Sequence, residues 1–475
     1  MGFKISDLWR WDGTVGRDVY AGVGLVGFAL KHNLDRFVAT AYFHRPWSLF
    51  NYLSPGPNSV TAVDRDQQIF LATLLLMALP FVWTGVCLTL RRLRAAHLPL
   101  WLVVLFFVPL INLIFFIVLA LLPPRSEEGQ DAVPPRSGLL DRMIPDHPLG
   151  DALISLLLVV PVALMATLMS VTGLKQYGWS LFVGLPFCMG MGSAMLYGYH
   201  RERSLPNCLG VACLSVCLLG FLLMAVAVEG VICLAMAAPL GLMLGTLGGI
   251  VGWAIQRRPK LANDPGFTPI KSAANTVLPA LMLTLPALMG AESINQNAPP
   301  VYAVTSFVEV NAPPEKVWPR VIQFSRMEPP CELVFRLGVA YPIQARLEGT
   351  GVGAIRRCVF STGPFVEPIT VWDEPRHLAF SVISNPAPMQ EWTPYKELHP
   401  AHTDDGYMVS QGGEFRLIPL EGGRTRLQGT TWYRHGLWPA TYWKVWSDQI
   451  IHTIHLRVLN HIKRETEASA RYTER

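Results

Sequence analysis

Charge is scarce in this chain. Only 15% of its 475 residues are Asp, Glu, Lys or Arg, whereas 51% are hydrophobic. Soluble domains carry about 25% charged residues, so most of the chain is not built as an ordinary soluble globule. The net charge of +5 is small for this length, and its Lys and Arg lie mainly in short loops between apolar runs. That pattern fits membrane orientation and speaks against a nucleic-acid partner. Cysteine is also sparse and unpatterned. Cys87, Cys188, Cys208, Cys213, Cys217 and Cys233 lie in or beside apolar runs, only Cys331 and Cys358 lie in the C-terminal part, and no CxxC occurs. Neither a zinc site nor a disulfide framework is indicated. No P-loop and no HExxH occurs, and no metal or cofactor is expected. The opening MGFKISDLWRWDG lacks the layout of a secretory signal. It matches the myristoylation pattern MGxxxS, read here as chance because one acyl chain adds little to several spans.

Long apolar runs are what the sequence does have. A membrane span needs about 20 mostly apolar residues. Residues 68–90, 150–173, 178–199 and 275–291 each supply one. The run 205–255 is about twice that length and has Glu229 and Gly230 near its middle, so it reads as two spans joined by a turn. The run 98–124 is compatible with one span kinked at Pro109 or with two limbs of a re-entrant hairpin turning at VPLIN. Loop charge favours the hairpin. With it, Arg91–Arg94, Arg201–Arg203 and the basic loop 257–271 all fall on one side, as cytoplasmic loops rich in Lys and Arg should. With either reading, the basic loop 257–271 followed by one final span is expected to put the C-terminal part outside the cytoplasm of a bacterial inner membrane.

Two features inside the membrane half stand out. In GFALKHNLDRFVATAYF, Lys31 and Asp35 are i,i+4 partners, as are His32 and Arg36. Ionisable groups at membrane depth are functional candidates, and a short or tilted helix that leaves them at the interface is the alternative. Gly241, Gly245 and Gly249 recur every four residues, as do Gly190, Ala194 and Gly198. Such spacing lets helix backbones approach closely, inside one bundle or between copies in an oligomer. The stretch GRDVYAGVG, the RRLR loop and VPLIN together resemble a bacterial inner-membrane family of unknown function, which has RRLHD where this chain reads Arg91-Arg92-Leu93-Arg94. The resemblance implies membrane location and no activity.

From Val304 the pattern changes to period-two alternation broken by turns. The strand 304–310 is followed by NAPPEKVW, with Asn311 as expected N-cap and prolines near the first turn of a short helix. Further strands are expected at 340–347, 353–361, 366–372, 377–383, 407–418 and 425–433, and a long helix at 439–467. This order resembles the START-like, helix-grip superfamily (SRPBCC, with polyketide cyclase/dehydrases and lipid-transfer domains). VTSFVEVNAPPEKVWPRVIQF carries most of the resemblance, and GVGAIRRCVFSTG, VWDEPRHLAFSV and GGRTRLQGTTWY fit later hairpins. It implies a curved antiparallel sheet around the long C-terminal helix, with an apolar cavity between them.

The expected fold class is therefore an α-helical polytopic membrane domain plus a C-terminal α+β helix-grip domain. Its parts are a membrane subdomain 1–125, a loop 126–149, a helix bundle 150–292, a linker 293–303, the START-like domain 304–468 and a tail 469–475. Trp443, Trp446, Ile450, Ile454, Val458 and Ile462 fall on one stripe of the last helix; the first four are expected to line the cavity, with Trp432 from the final hairpin. Arg356 and Arg357 must face opposite sides of their strand, so one points inward. Glu367 is its expected partner, since a buried Arg or Glu is costly unpaired. His399 and His402 lie in the long loop NPAPMQEWTPYKELHPAH and are further candidates. His452 lies opposite the stripe and His455 at its margin, so both are expected to be solvated, and His461 in line with it. The expected function is binding of a hydrophobic molecule, either a lipid or a polyketide- or isoprenoid-like compound, with membrane lipids as the other partner. A cyclase-like enzyme using the same cavity is the second reading, and a regulatory module without a ligand the third.

Overall fold

Apolar runs without polar partners for their backbone can bury themselves only as helices, and the N-terminal part does so. The computed structural model describes residues 8–52, 65–122, 139–145, 147–258, 269–294, 299–391 and 407–473. Its helices before the soluble part are α1 (Arg17–Ala41), α2 (Arg65–Ala95), α3 (Ile111–Leu121), α4 (Leu139–Met143), α5 (Pro148–Leu168), α6 (Leu185–Tyr197), α7 (Leu205–Ala225), α8 (Val231–Gln256) and α9 (Pro269–Ile294). A π-turn extends α5 to Gly173 and another precedes α6. Among the described residues, six helices are long and apolar enough to cross a membrane: α2, α5 with its π-turn, α6 with the π-turn before it, α7, α8 and α9. These six answer the expected spans. The chain is a multi-pass membrane protein.

The run 98–122 divides. Leu100–Phe107 is a 3-10 helix, Leu110 has φ 62°, and α3 follows. At about 1.5 Å per residue, the 11 residues of α3 reach roughly half of the ~30 Å apolar thickness of a bilayer. Arg92, fully buried near the end of α2, donates to the carbonyls of Leu119 (2.9 Å) and Leu122 at the end of α3. The run therefore returns to the level at which it began. Arg258, beyond α8, donates to the Ala96 carbonyl at that same level (2.9 Å).

The small-residue series is used inside the bundle. An added Cβ at Gly190 would meet the Gly245 carbonyl oxygen at 1.9 Å, and one at Gly249 would meet the Ala212 Cβ at 2.9 Å. Gly241 and Gly245 likewise face Val216 of α7. Close helix approach consumes this face, so no oligomer contact is assigned to it. In α1, Lys31 pairs with Asp35, which is fully buried and also accepts from the Tyr52 hydroxyl (2.6 Å). Arg36 is exposed, and His32 lies edge-on to Tyr52 rather than pairing with it.

The chain divides into two compact units, Met1–Ala225 with Ala237–Gln296, and Val226–Met236 with Asn297–Arg475. In the second unit, alternation yields seven strands: β1 (Val301–Val310), β2 (Pro342–Glu348), β3 (Ile355–Phe360), β4 (Gly363–Asp373), β5 (His377–Ser381), β6 (Met408–Leu420) and β7 (Arg424–His435). They form one antiparallel sheet in the order β1-β7-β6-β5-β4-β3-β2. Between β1 and β2 lie α10 (Pro314–Ile322) and the short α11 (Leu333–Arg336), the latter not expected from sequence. The N-cap of α10 is Pro313, not Asn311. Proline at the cap and first turn costs no hydrogen bond there, and Asn311 sits too early to reach it. Helix α12 (Ala440–Thr473) closes the chain. Val317, Trp318 and Val321 of α10 meet Leu417, Leu427, Leu459 and Ile462 in the main core. Within this unit the Glu391 carboxylate accepts the N–H groups of Ile232 and Cys233 in the first turn of α8 (3.1 Å each). It satisfies two of the donors that a helix start leaves open.

Candidate functional site

β3 and β4 place the central feature of the sheet. Their register sets Arg356 directly opposite Glu367, where cross-strand side chains meet. Alternation then sends Arg356, Cys358 and Phe360 to the concave face, and all three border a cavity of about 150 Å³. Helix α12 supplies the facing wall through Ile450, Ile451, Ile454, His455, Val458 and Leu459. An apolar cavity of this size accommodates a benzene-sized ring.

Arg356 forms an ion pair with Glu367, and its Nε donates to the Ile322 carbonyl (3.2 Å). Phe324, Phe380 and Phe415 surround the guanidinium with ring centroids 5.4–5.7 Å away, a cation–π setting. Burial alone would lower the Arg356 pKa, but Glu367 beside it holds the guanidinium above its ordinary value. Burial pushes the Glu367 carboxyl up, while Arg356 pulls it back. Burial also pushes the Cys358 thiol up to about 12, so it is an inert lining group. Glu414, which borders the cavity too, is bonded to Arg416 and His377, and these outweigh burial to hold its carboxyl below the usual range. The charges that reach the cavity are thus compensated within the protein.

Of the residues expected from sequence, the structure brings Arg356, Glu367, Ile450 and Ile454 together at the cavity. Arg357 turns outward and bonds Glu348 (2.8 Å). Trp432 lies on the opposite face of β7 from Thr431, and Trp443 and Trp446 sit earlier on α12. None of the three borders the cavity. Trp443 is buried and Trp446 half-buried: their stripe marks packing rather than open space. His399 and His402 lie outside the described residues. His461 is buried near Ser325 and Phe324, away from the cavity.

His452 and His455 depart from expectation. Rather than being solvated, both reach Ser306 of β1, with Nδ1–Oγ distances of 2.7 and 3.1 Å. His455 Nε2 also lies 2.7 Å from Thr431 Oγ1 on β7. Burial, with His452 nearby, lowers the His455 pKa to about 4. Sequence offered a signal for this pairing only in the inward parity of Ser306 on β1.

A sheet curled around a last helix, with a cavity between them, decides the architecture. The C-terminal unit is an α+β helix-grip domain. Residues 8–130 match the family model described as protein of unknown function (DUF805). The chain is similar to norcoclaurine synthase from Thalictrum flavum in complex with dopamine and hydroxybenzaldehyde, at 16% identity over 37% of this chain and 91% of that one, with a TM-score of 0.25. It is also similar to the Zhui aromatase/cyclase from Streptomyces sp. R1128, at 16% identity over 35% and 94%, with a TM-score of 0.23. A protein from Nitrosospira multiformis is similar at 17% identity over 36% and 99%, with a TM-score of 0.24. These likenesses concern fold alone. No curated protein matches the chain.

Proposed function

We propose that this protein is a bacterial inner-membrane protein whose extracytoplasmic START-like domain binds an uncharged hydrophobic molecule, of lipid, polyketide or isoprenoid type. One observation carries the reading: an apolar cavity whose buried cation is already neutralised by Glu367. A guanidinium engaged by a carboxylate offers little net charge to an anionic head group, while the surrounding rings reward apolar contact. The test is mass spectrometry of molecules retained by the purified full chain, beside an Ile454→Trp variant that fills the cavity. The wild type should carry a neutral apolar compound and the variant should lose it while remaining folded. A wild-type chain that retains none, and binds none from vesicles, would overturn the reading.

The orientation rests on geometry as well as charge. Arg203, before α7, pairs with Asp151 at the start of α5, and its N–H donates to Gln256 at the end of α8 (3.1 Å). Lys271, at the start of α9, bonds Asp141 ahead of α5 (2.5 Å). Together with Arg92 and Arg258, these cations gather at one level of the bundle, the side that the positive-inside rule makes cytoplasmic. One further span then carries the chain out before β1. Reporter fusions after Arg258 and after Arg475 should report the cytoplasm and the outside respectively. The same side for both would exclude α9 as a crossing and with it the extracytoplasmic placement.

A further inference from the structure

Thr431, His455, Ser306 and His452 form a continuous hydrogen-bonded chain whose inner end opens on the cavity. Its proton inventory is informative. Ser306 has one hydrogen to donate, yet it contacts two imidazole Nδ1 atoms. Its own hydrogen is used within the chain when one histidine donates to Ser306 and the other accepts from it. Two polarities satisfy every link in this way. In the first, Thr431 O–H donates to His455 Nε2, His455 Nδ1–H donates to Ser306, and Ser306 donates to His452 Nδ1. In the second, each link is reversed, and the Thr431 hydroxyl hydrogen is released to point into the cavity. His455 must be neutral in both, because one of its nitrogens donates while the other accepts, and its lowered pKa keeps that ring neutral.

We infer that Thr431 is the cavity's recognition point for one oxygen atom of an uncharged, apolar, ring-sized ligand, and that the chain behind it lets this point donate to a carbonyl or accept from a hydroxyl. The inference rests on the binding reading above. A lone threonine flanked by apolar walls would also bond either group, but reversing it would strand its partner. Here the partner is a histidine that changes tautomer, and Ser306 and His452 follow. Ketone and alcohol forms of the same molecule therefore meet an equally satisfied site. Carboxylates are disfavoured, because the cavity's cation is already neutralised.

The experiment titrates four single-ring probes into the full chain in lipid nanodiscs by calorimetry, corrected for uptake by empty nanodiscs: acetophenone, 1-phenylethanol, ethylbenzene and benzoate. The ketone and the alcohol should bind within about threefold of one another, each about three- to tenfold tighter than ethylbenzene, as one net hydrogen bond gives. Benzoate should bind weakest. Thr431→Val should bring ketone and alcohol down to the level of ethylbenzene, whose own affinity should hold and so report an intact cavity. Thr431→Ser should restore the preference. Ser306→Ala should separate the two oxygen probes in favour of the ketone. A buried N–H without an acceptor is worse tolerated than an unmet acceptor, so His455 would place its hydrogen on Nε2 and leave Thr431 a donor. Ethylbenzene binding as tightly as the oxygen probes would overturn the inference while leaving the cavity reading intact. So would a preference that survives Thr431→Val, a ketone-to-alcohol ratio unmoved by Ser306→Ala, or benzoate binding tightest. Binding of no probe would overturn the cavity reading and this inference with it.

Discussion

Replacing Glu367 by alanine should destabilise the C-terminal unit by about 3–5 kcal/mol, the range for breaking a buried ion pair. The cost comes from Arg356. Its side chain is 2% exposed and sits among three phenylalanines, so without Glu367 a full charge would remain where water cannot reach it. Rings attract the cation, but by about 2 kcal/mol or a little more when desolvated, which does not replace the carboxylate. The paired replacement Arg356→Met/Glu367→Leu should recover most of the loss, because two apolar side chains of similar volume leave nothing uncompensated. Hydrogen exchange of the sheet amides in the full chain measures both. Equal losses in the single and double variants would mean that the pair matters through shape rather than charge.

Acid should loosen the same unit well before its carboxylates are titrated out. His435 on β7 is 2% exposed and stacked on Tyr302 at 5.4 Å, and burial lowers its pKa from 6.5 to about 4. His455 shifts the same way. A histidine with a lowered folded-state pKa binds more protons when unfolded. Stability therefore rises with pH across the window from about 4 to 6.5 and is lost as pH falls through it. At about 1.36 kcal/mol per pKa unit, His435 alone is worth roughly 3 kcal/mol across that window. His435→Phe, which keeps a ring against Tyr302, should flatten the pH dependence measured by hydrogen exchange. An unchanged slope in that variant would show that His435 does not set it.

Much of the architecture was legible because each part rests on one short-range rule. Alternation located all seven strands to within a few residues, and length plus apolarity located six membrane helices. The register that sets Arg356 against Glu367 follows from a single tight turn at Ser361 and Thr362, closed by the Phe360–Gly363 pair. What the sequence did not show is how far the sheet wraps around α12. The expected stripe from Trp443 to Ile462 includes Val458 and Ile462, which are buried, but the buried arc extends past it toward Ile451 and Leu459, so that Trp446 and Ile450 lie at its margin. That extension brings His455 inward and leaves the tryptophans outside the cavity. Periodicity distinguishes buried from exposed, but it carries no information on whether a buried face meets atoms or space. The Ser306 link was equally hidden, since β1 and α12 lie at opposite ends of the domain sequence.

That separation governs how the domain can be made. β2 to β7 form a meander in which each strand pairs with its immediate successor, but β1, among the described residues, pairs only with β7, with Val301 opposite Arg434 and Val310 opposite Thr425. The first strand to be synthesised thus waits for the last, and α12 is later still. Non-local pairing of this kind is slow, because the loop entropy must be overcome before contacts reward it. On the proposed orientation, β1 would reach the far side of the membrane as an unpaired edge with the rest of the sheet still to follow. Unpaired edges invite association with other chains. Translation or translocation stalled before β7 should therefore leave a species dependent on chaperones, whereas a stall after α12 should not.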